Sequence, residues 1–228
     1  MTGPTLSISL LRIVNPATAS KHKSERKFDV HGLKIRALQN FICATYGQEC
    51  WQRIVRAAGA DCADFNPFEV YSTAVANKLV KAATEVLSKS ECDLAEDVGI
   101  YLASRDDRHA IYRLLRFGGS NFLEFLRSLD DLPARAQLAV NDFELPRLDL
   151  AEHDTEAMTL IVRGGERWMG GFFCGLVRAM ADHFGALATL ENLGRDGNAH
   201  VIKIHHLTEN QIQTRQLKSM NRLDTHDD

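Results

Sequence analysis

The period of the hydrophobic residues changes near residue 140 of this 228-residue chain. Before that point apolar residues recur every three or four positions, as on one face of a helix. After it, residues 147–152 and 159–163 alternate between apolar and polar side chains, as strands do, and glycines at 194 and 197 indicate a hairpin. Helices followed by strands predict an α+β fold, namely an N-terminal helical bundle followed by a four-stranded antiparallel sheet. One apolar helix, over residues 168–184, is expected to cover that sheet.

Local signals predict where several helices begin and end. Gly47 and Gly59 follow apolar helical stripes and suit helix C-termini. Ser90 begins a segment that resembles a capping box, with aspartate in place of glutamate three positions later. Asn66 followed by Pro67 predicts a helix start, because a capping residue precedes a proline that is already in helical geometry.

The apolar segment over residues 120–135 carries the last helix of the first half. Its phenylalanines and leucines fall at helical spacing, so one face belongs to the core. Ser120 is predicted to be the N-cap because it follows two glycines. Pro133 is disfavoured inside a helix but allowed in the first turn of a new one, so we expect the first helix to stop before it.

The two ends of the chain differ from the region between them. Residues 1–29 are polar and basic after one short apolar run, which predicts a disordered or mis-annotated extension. Bacteria read a GTG codon as methionine when translation starts there and as valine elsewhere. If translation starts at the codon for Val30, residues 1–29 are not part of the protein. Residues 30–207 carry the periodic patterns of the domain, and residues 208–228 form a polar tail.

Composition excludes several classes of function. A net charge of −3 leaves no basic footprint for nucleic acid, and no apolar run reaches the roughly 20 residues of a membrane span. The five cysteines have no CxxC spacing, which favours buried thiols and a cytoplasmic protein over a zinc site or disulfides. The sequence also lacks GxSxG, HExxH and phosphate-loop motifs, so we expect no enzymatic activity.

Several motifs in order resemble the haem-nitric oxide/oxygen binding (H-NOX, HNOB) domain. They are Val30-His-Gly-Leu, the Trp51 segment, Phe122-Leu-Glu-Phe-Leu with its Asp-Asp-Leu exit, Leu145-Pro-Arg-Leu, and Arg167 with the helix behind it. The resemblance covers roughly residues 30–207. It implies haem b between the two halves of the domain, nitric oxide sensing, and signalling to a separate histidine kinase or cyclic-dinucleotide enzyme.

The resemblance also identifies a missing iron ligand. The family's proximal histidine follows the Leu-Asp-x-Leu exit, and this chain has Pro133 there. Proline has no side-chain donor for iron, whereas a neutral imidazole is the usual proximal ligand. His109 and His153 are the only histidines we consider able to replace it. Relatives that hold zinc use a cysteine cluster in the C-terminal half, where this chain has only Cys174, so no zinc is expected.

Other family positions are altered as well. Of the propionate-binding Tyr-x-Ser-x-Arg motif, only Arg167 is kept; Arg163 either supplies a second cation or is simply solvated. Pro146 matches a proline that packs on the haem, and Phe172 lies where oxygen-binding relatives have tyrosine, which favours nitric oxide over oxygen. Lys34 falls near an apolar, haem-facing position, and a buried lysine without a partner is costly.

Three interpretations of the function stay open at this point. In the first, the protein binds haem through a ligand that the family does not use and still senses gas. In the second, it is a haem-free descendant whose cavity takes another apolar or anionic ligand, anchored by Arg167. In the third, the cavity is filled and the protein is an interaction scaffold.

Overall fold

The N-terminal half is a helical bundle, as the recurrence of apolar residues every three or four positions predicts. The structure, a computed structural model, describes residues 29–104 and 110–207. The first four helices are α1 (Gly32–Tyr46), α2 (Gln48–Ala58), α3 (Thr73–Leu87) and α4 (Glu91–Ala103). The predicted ends at Gly47 and Gly59 are confirmed, and the Ser90 Oγ accepts a hydrogen bond from the Asp93 backbone N–H at 3.1 Å. These caps bind only neighbouring residues, so the sequence reveals them directly.

Three shorter helices lead to the second half: α5 (Ala110–Arg116), α6 (Phe122–Arg127) and α7 (Leu132–Ala139). As predicted, the proline begins a new helix, because Pro133 lies in the first turn of α7. The predicted cap at Ser120 is wrong. Asn121 caps α6 instead, since its Oδ1 accepts a hydrogen bond from the Glu124 backbone N–H at 2.9 Å.

The C-terminal half is a four-stranded antiparallel sheet covered by one helix, which confirms the predicted α+β fold class. Its strands are β3 (Arg147–Glu152), β4 (Ala157–Arg163), β5 (Leu187–Asp196) and β6 (Ala199–Leu207), in the order β3-β4-β6-β5. Helix α8 (Met169–His183) contributes Phe173 and Val177 to the same buried cluster as Leu160 and Ile202 of the sheet. None of the described helices is both long and apolar enough to span a bilayer.

A small second sheet was not predicted. Strand β1 (Asp29–His31) pairs antiparallel with β2 (Val70–Ser72), ahead of α1 and α3. Asn66 does not begin a helix, contrary to the prediction. Its Oδ1 accepts a hydrogen bond from the Phe68 backbone N–H at 3.0 Å, which closes a turn that leads into β2. Asparagine caps turns as readily as helices, so the local signal was ambiguous.

Two buried clusters meet where α4 packs on α8. The first belongs to α1–α4, and the second to the sheet, α8 and the short helices. A methyl group built on Gly99 of α4 would lie 2.2 Å from the Phe172 carbonyl oxygen, and one built on Gly175 of α8 would lie 2.0 Å from the Glu96 carbonyl oxygen. Glycine at these positions therefore lets two helix backbones come into direct contact. This contact fixes the two halves on either side of a cavity.

Candidate functional site

An apolar cavity of about 270 Å³ lies between the helices of the two halves. Its lining comes from α1, α3, α4, α5, α7 and α8, from Val30 of β1, and from the segments that precede β3 and α8; the four-stranded sheet contributes nothing to it. Leucine, valine, alanine and phenylalanine make up most of the lining. The charged or amide side chains on it are Lys34, Asn77, Glu91 and Glu166. The arrangement suits an apolar molecule that a few polar groups orient.

An ion pair on the wall of the cavity joins one half of the domain to the other. The Lys34 Nζ on α1 donates to the Glu166 Oε1, just before α8, at 2.8 Å. The two side chains are 16% and 20% exposed, so the pair is largely removed from water. The partner that a buried lysine requires is therefore present, and it comes from the opposite half of the chain.

The second oxygen of Glu166 has no such partner. Glu166 Oε2 is buried and accepts no hydrogen bond from any residue within 29–104 or 110–207. A buried carboxylate oxygen that lacks a donor costs free energy, because it has lost its water without gaining a replacement. Glu166 thus keeps one oxygen that is buried in the protein without a hydrogen-bond donor among the described residues.

A second carboxylate at the cavity is paired with a cation on its outer side. The Arg167 Nη2 donates to the Glu91 Oε2 at 3.1 Å. Arg167 is 76% exposed and Glu91 is 39% exposed, so water screens this pair. Arg167 itself does not line the cavity. The structure therefore does not support the predicted role of Arg167 as an anchor inside the cavity, because its guanidinium points to solvent and is engaged by Glu91.

His31 lies beside the cavity in a structural role. Its Nδ1 accepts a hydrogen bond from the Leu33 backbone N–H at 3.3 Å and thereby caps α1. Its ring stands edge-on to Phe143, with the ring centroids 5.5 Å apart. Burial and the charge of Lys34 lower the pKa of His31. Because Nδ1 serves as an acceptor, a neutral ring fits this position.

The sequence matches the family described as Haem-NO-binding over residues 31–192, well over half of the chain. This chain is an H-NOX domain. A crystal structure of the Fe(II) unliganded H-NOX protein from K. algicida superposes with a TM-score of 0.66 at 18% identity, covering 79% of this chain and 98% of that one. The S. oneidensis H-NOX protein in its Fe(II)NO ligation state gives 0.65 at 14% identity, covering 78% and 100%.

A curated relative matches most of this chain over a small part of its own length. Soluble guanylate cyclase 89Db of Drosophila melanogaster is 18% identical over 155 residues, which cover 68% of this chain and 23% of the relative. The chain therefore spans about a quarter of that protein's length.

The cavity of this H-NOX domain does not carry the donors that histidine-ligated haem requires. No histidine, cysteine or tyrosine of the described residues lines it, and Met169 supplies the sole sulfur atom there. Two carboxylates, Glu91 and Glu166, lie on its lining, and a carboxylate repels the anionic propionates that haem carries. The residues present therefore fit haem b poorly.

The proximal-ligand position is turned away from the cavity. Pro133 is half-buried and does not line it, whereas its neighbour Leu132 and, one turn later, Ala136 do. Leu132, Ala136 and Ala139 of α7 line the cavity together, because their spacing of four and three positions places them on one face of the helix. Loss of the imidazole is thus accompanied by an apolar inner face on α7.

Of the predicted cofactor-binding residues, Lys34 and Phe172 line the cavity and three others do not. Arg163, at the end of β4, is exposed and donates to the Asp149 Oδ2 at 2.5 Å, which lowers the pKa of Asp149. Pro146 is buried against Gly165, and its neighbour Leu145 lines the cavity instead. The structure does not support a cofactor contact at Arg163, Arg167 or Pro146.

The substitute histidines that the sequence suggested are also away from the cavity or outside the structure. His109 lies outside the described residues. His153 is exposed beyond β3, where its Nε2 is 2.8 Å from the Thr159 Oγ1. His205 and His206 point to opposite faces of β6, as the alternation predicts. Within the described ranges, no three histidine, cysteine or acidic side chains are grouped so that they could hold a metal ion.

Glu166, Glu91 and Met169 line the cavity but are not among the residues predicted for the site. Glu166 lies inside the altered propionate motif, between Gly165 and Arg167. Its importance arises from a contact with a residue 132 positions earlier, which no local pattern can reveal.

Proposed function

We propose that this chain is an H-NOX sensory domain whose cavity binds a small, mainly apolar ligand in place of histidine-ligated haem. One observation supports the proposal: an apolar space of about 270 Å³ lies between the two halves, where the family resemblance places the haem, and no imidazole within the described residues lines it. A third interpretation, in which the cavity is filled and the protein is only a scaffold, does not fit this volume.

The size of the cavity sets the scale of the binding. Small-molecule pockets begin at about 300 Å³, and an engineered apolar cavity of about 150 Å³ binds benzene. The cavity volume of about 270 Å³ lies between these two values, so it suits a small organic molecule.

The position of the cavity suits a sensor. An occupant contacts Leu38 and Val98 on the N-terminal helices, and Leu132 and Phe173 on the C-terminal side. Binding of an occupant therefore changes the relative free energies of different arrangements of the two halves. A partner protein that docks across both halves responds to that change.

We infer that the signal goes to a separate protein. By family resemblance this partner is a histidine kinase or a cyclic-dinucleotide enzyme, and the relative named a guanylate cyclase carries the domain within a longer chain. The domain itself is proposed to be non-catalytic and cytoplasmic. Its five free cysteines suit a reducing compartment.

A second candidate keeps the haem and the nitric oxide sensing of the family. Met169 is 2% exposed and its thioether lines the cavity, and methionine is an axial ligand of haem in some proteins. In this case Met169 replaces the missing histidine.

An absorbance spectrum separates the two candidates. The protein is expressed with a haem supply, and the Soret region is recorded for the wild type and for Met169→Leu. Absence of a Soret band, with saturable binding of small apolar probes, supports the haem-free proposal. A Soret band that disappears in Met169→Leu supports the second candidate, and a histidine-type ferrous spectrum in the wild type would sink both.

A further inference from the structure

We infer that the C-terminal tail, residues 208–228, docks as an amphipathic helix on the outer face of the four-stranded sheet of its own chain. The outer face is the one that is turned away from α8. The inference goes beyond the proposed function and does not depend on the cavity. It rests on an exposed sheet face, on the pattern and length of the tail, and on complementary charges at one end of the sheet.

The outer face presents apolar side chains to solvent. Residues such as Leu160 and Ile202 point inward and are buried with α8, whereas the alternate residues of the same strands point outward. Ile161 of β4 and Val201 of β6 pair directly on the outer face and are only half-buried, and Leu187 of β5 is 58% exposed. An antiparallel sheet can face water on one side, so exposure alone does not require a cover. The tail supplies the rest of the argument.

The sequence of the tail has the pattern of an amphipathic helix. At 100° per residue its four large apolar residues fall on one side of such a helix: Ile212, Leu217, Met220 and Leu223. Its three basic residues fall on the opposite side: Arg215, Lys218 and Arg222. An isolated helix of this length is marginal in water, so its apolar side needs a surface to pack on.

The tail starts where it can cover the outer face from end to end. It follows Leu207 directly, at the end of β6, which lies between β4 and β5 in the sheet. Its 21 residues span about 31 Å as a helix, and the nine residues of β6 span about 30 Å. A helix that turns back after Leu207 therefore runs along β6 and passes over Val201. Because the tail is tethered beside this face, its effective concentration there is on the order of millimolar, which favours it over the tail of a second copy.

Charges at the far end of β6 favour the same direction. The tail carries three acidic side chains after its last apolar residue: Asp224, Asp227 and Asp228. A helix that runs back along β6 brings them towards Ala199, which pairs with Arg163. Arg163 and Arg147 donate to one carboxylate, that of Asp149, at 2.5 and 2.9 Å, and are 52% and 77% exposed. Each guanidinium has five N–H donors, so both keep donors for the acidic end of the tail.

Hydrogen exchange of the full-length protein tests whether the tail is docked. We expect the backbone amides of residues 212–223 to exchange at least about tenfold more slowly than those of an unstructured peptide of the same sequence. Exchange at the unstructured rate would show that the tail does not dock, and the inference would be wrong.

Two matched double variants test which side of the helix packs. Leu217→Ser with Met220→Ser removes two apolar contacts and should bring the tail close to the unstructured rate. Arg215→Ser with Lys218→Ser introduces the same residue type on the basic side and should change the exchange of the tail by less than about twofold. An equal effect of both pairs contradicts the amphipathic docking, and unchanged exchange of α8 confirms that each variant is folded.

Variants of the sheet locate the surface. Ile161→Thr with Val201→Thr keeps branched side chains in the strands but makes the outer face polar, and the tail should then exchange at least about fivefold faster. Phe68→Thr is the control, because Phe68 is an exposed apolar residue in the turn before β2 and should leave the tail unaffected. Unchanged exchange in the sheet variant would mean that the tail docks elsewhere, which overturns the inference.

Dilution identifies the chain that supplies the helix. Exchange and sedimentation are measured at two protein concentrations that differ tenfold. Protection that is independent of concentration supports docking within one chain. Protection that disappears as a dimer dissociates assigns the helix to a second copy and overturns the inference for the protein's own tail.

Discussion

The Lys34 Nζ and the Glu166 Oε1 lie 2.8 Å apart and join the first helix of the domain to the segment before its last helix. The pair spans 132 positions in sequence and lines the cavity from both sides. It explains how a lysine occupies a position that the family resemblance assigns to an apolar side chain. It also means that removing either side chain leaves the other as a largely buried charge without a partner, which costs free energy.

Replacing Lys34 with methionine should destabilise the domain. The change leaves Glu166 as a largely buried, uncompensated charge, and breaking such pairs costs about 3–5 kcal/mol when they are fully buried. Since both side chains keep some contact with water, we expect a loss of about 2 kcal/mol, measured by urea denaturation.

The double variant Lys34→Met, Glu166→Met is the control for that prediction. Exchanging a buried ion pair for apolar side chains of similar size is often neutral or stabilising, so the double variant should recover most of the lost stability. If it is less stable than Lys34→Met, the pair contributes through packing rather than through charge.

Adding a methyl group at Gly99 should be more damaging than its size suggests. The new Cβ would meet the Phe172 carbonyl oxygen at 2.2 Å, so α4 and α8 would have to move apart. Overpacking usually costs about 1–3 kcal/mol, and backbone cannot yield as a side chain does, so we expect Gly99→Ala to cost about 3 kcal/mol. Gln52→Ala on the exposed face of α2 is the control and should change the urea midpoint very little.

The sequence predicts those parts of the fold that depend on neighbouring residues. The ends of α1 and α2 and the cap of α4 are local, and so is the alternation in β3, β4 and β6. The pairing of β1 with β2 depends on residues about 40 positions apart, and each strand is only three residues long, too short for a period to show.

The candidate site likewise has features that the sequence predicts and features that depend on contacts between distant residues. The resemblance points to Lys34, Phe172 and the loss of the ligand at Pro133, because these are identities at matched positions. It cannot show that α7 presents Leu132 and Ala136 to the cavity, since packing against the rest of the domain decides which face of the helix points inward. Nor can it show that Arg167 pairs with Glu91, 76 residues away.

Stability should fall as the pH is lowered from 7 towards 5, because two histidines are buried in the C-terminal half. Burial lowers the pKa of His200 and of His206 below that of the unfolded chain. The unfolded state therefore binds more protons in this range, so the free energy of unfolding is highest above about pH 6.5 and decreases below it. The decrease levels off once the pH is below the folded-state pKa values.

The variant His206→Leu tests the contribution of one of these two histidines to the pH dependence of stability. The ring of His206 packs edge-on against Phe122, and its Nε2 has no partner among the described residues. Glu152, Asp154 and Glu156 favour its charged form and Arg127 opposes it, but burial is the largest effect on its pKa. Urea denaturation at pH 7 and pH 5 should show a smaller loss of stability in the variant than in the wild type. An equal or larger loss would show that His206 does not contribute.

Restoring a histidine at the family's ligand position should not restore haem binding. In Pro133→His the new ring begins from a residue that does not line the cavity, and Glu91 and Glu166 still oppose the propionates. Ala136→His places an imidazole on the lining from the same helix and is the matched comparison. With a haem supply, we expect no Soret band from Pro133→His, and any haem uptake should appear in Ala136→His first. A histidine-type Soret band in Pro133→His alone would mean that α7 turns to present residue 133 to the cavity, and that the loss of one imidazole is what separates this domain from haem.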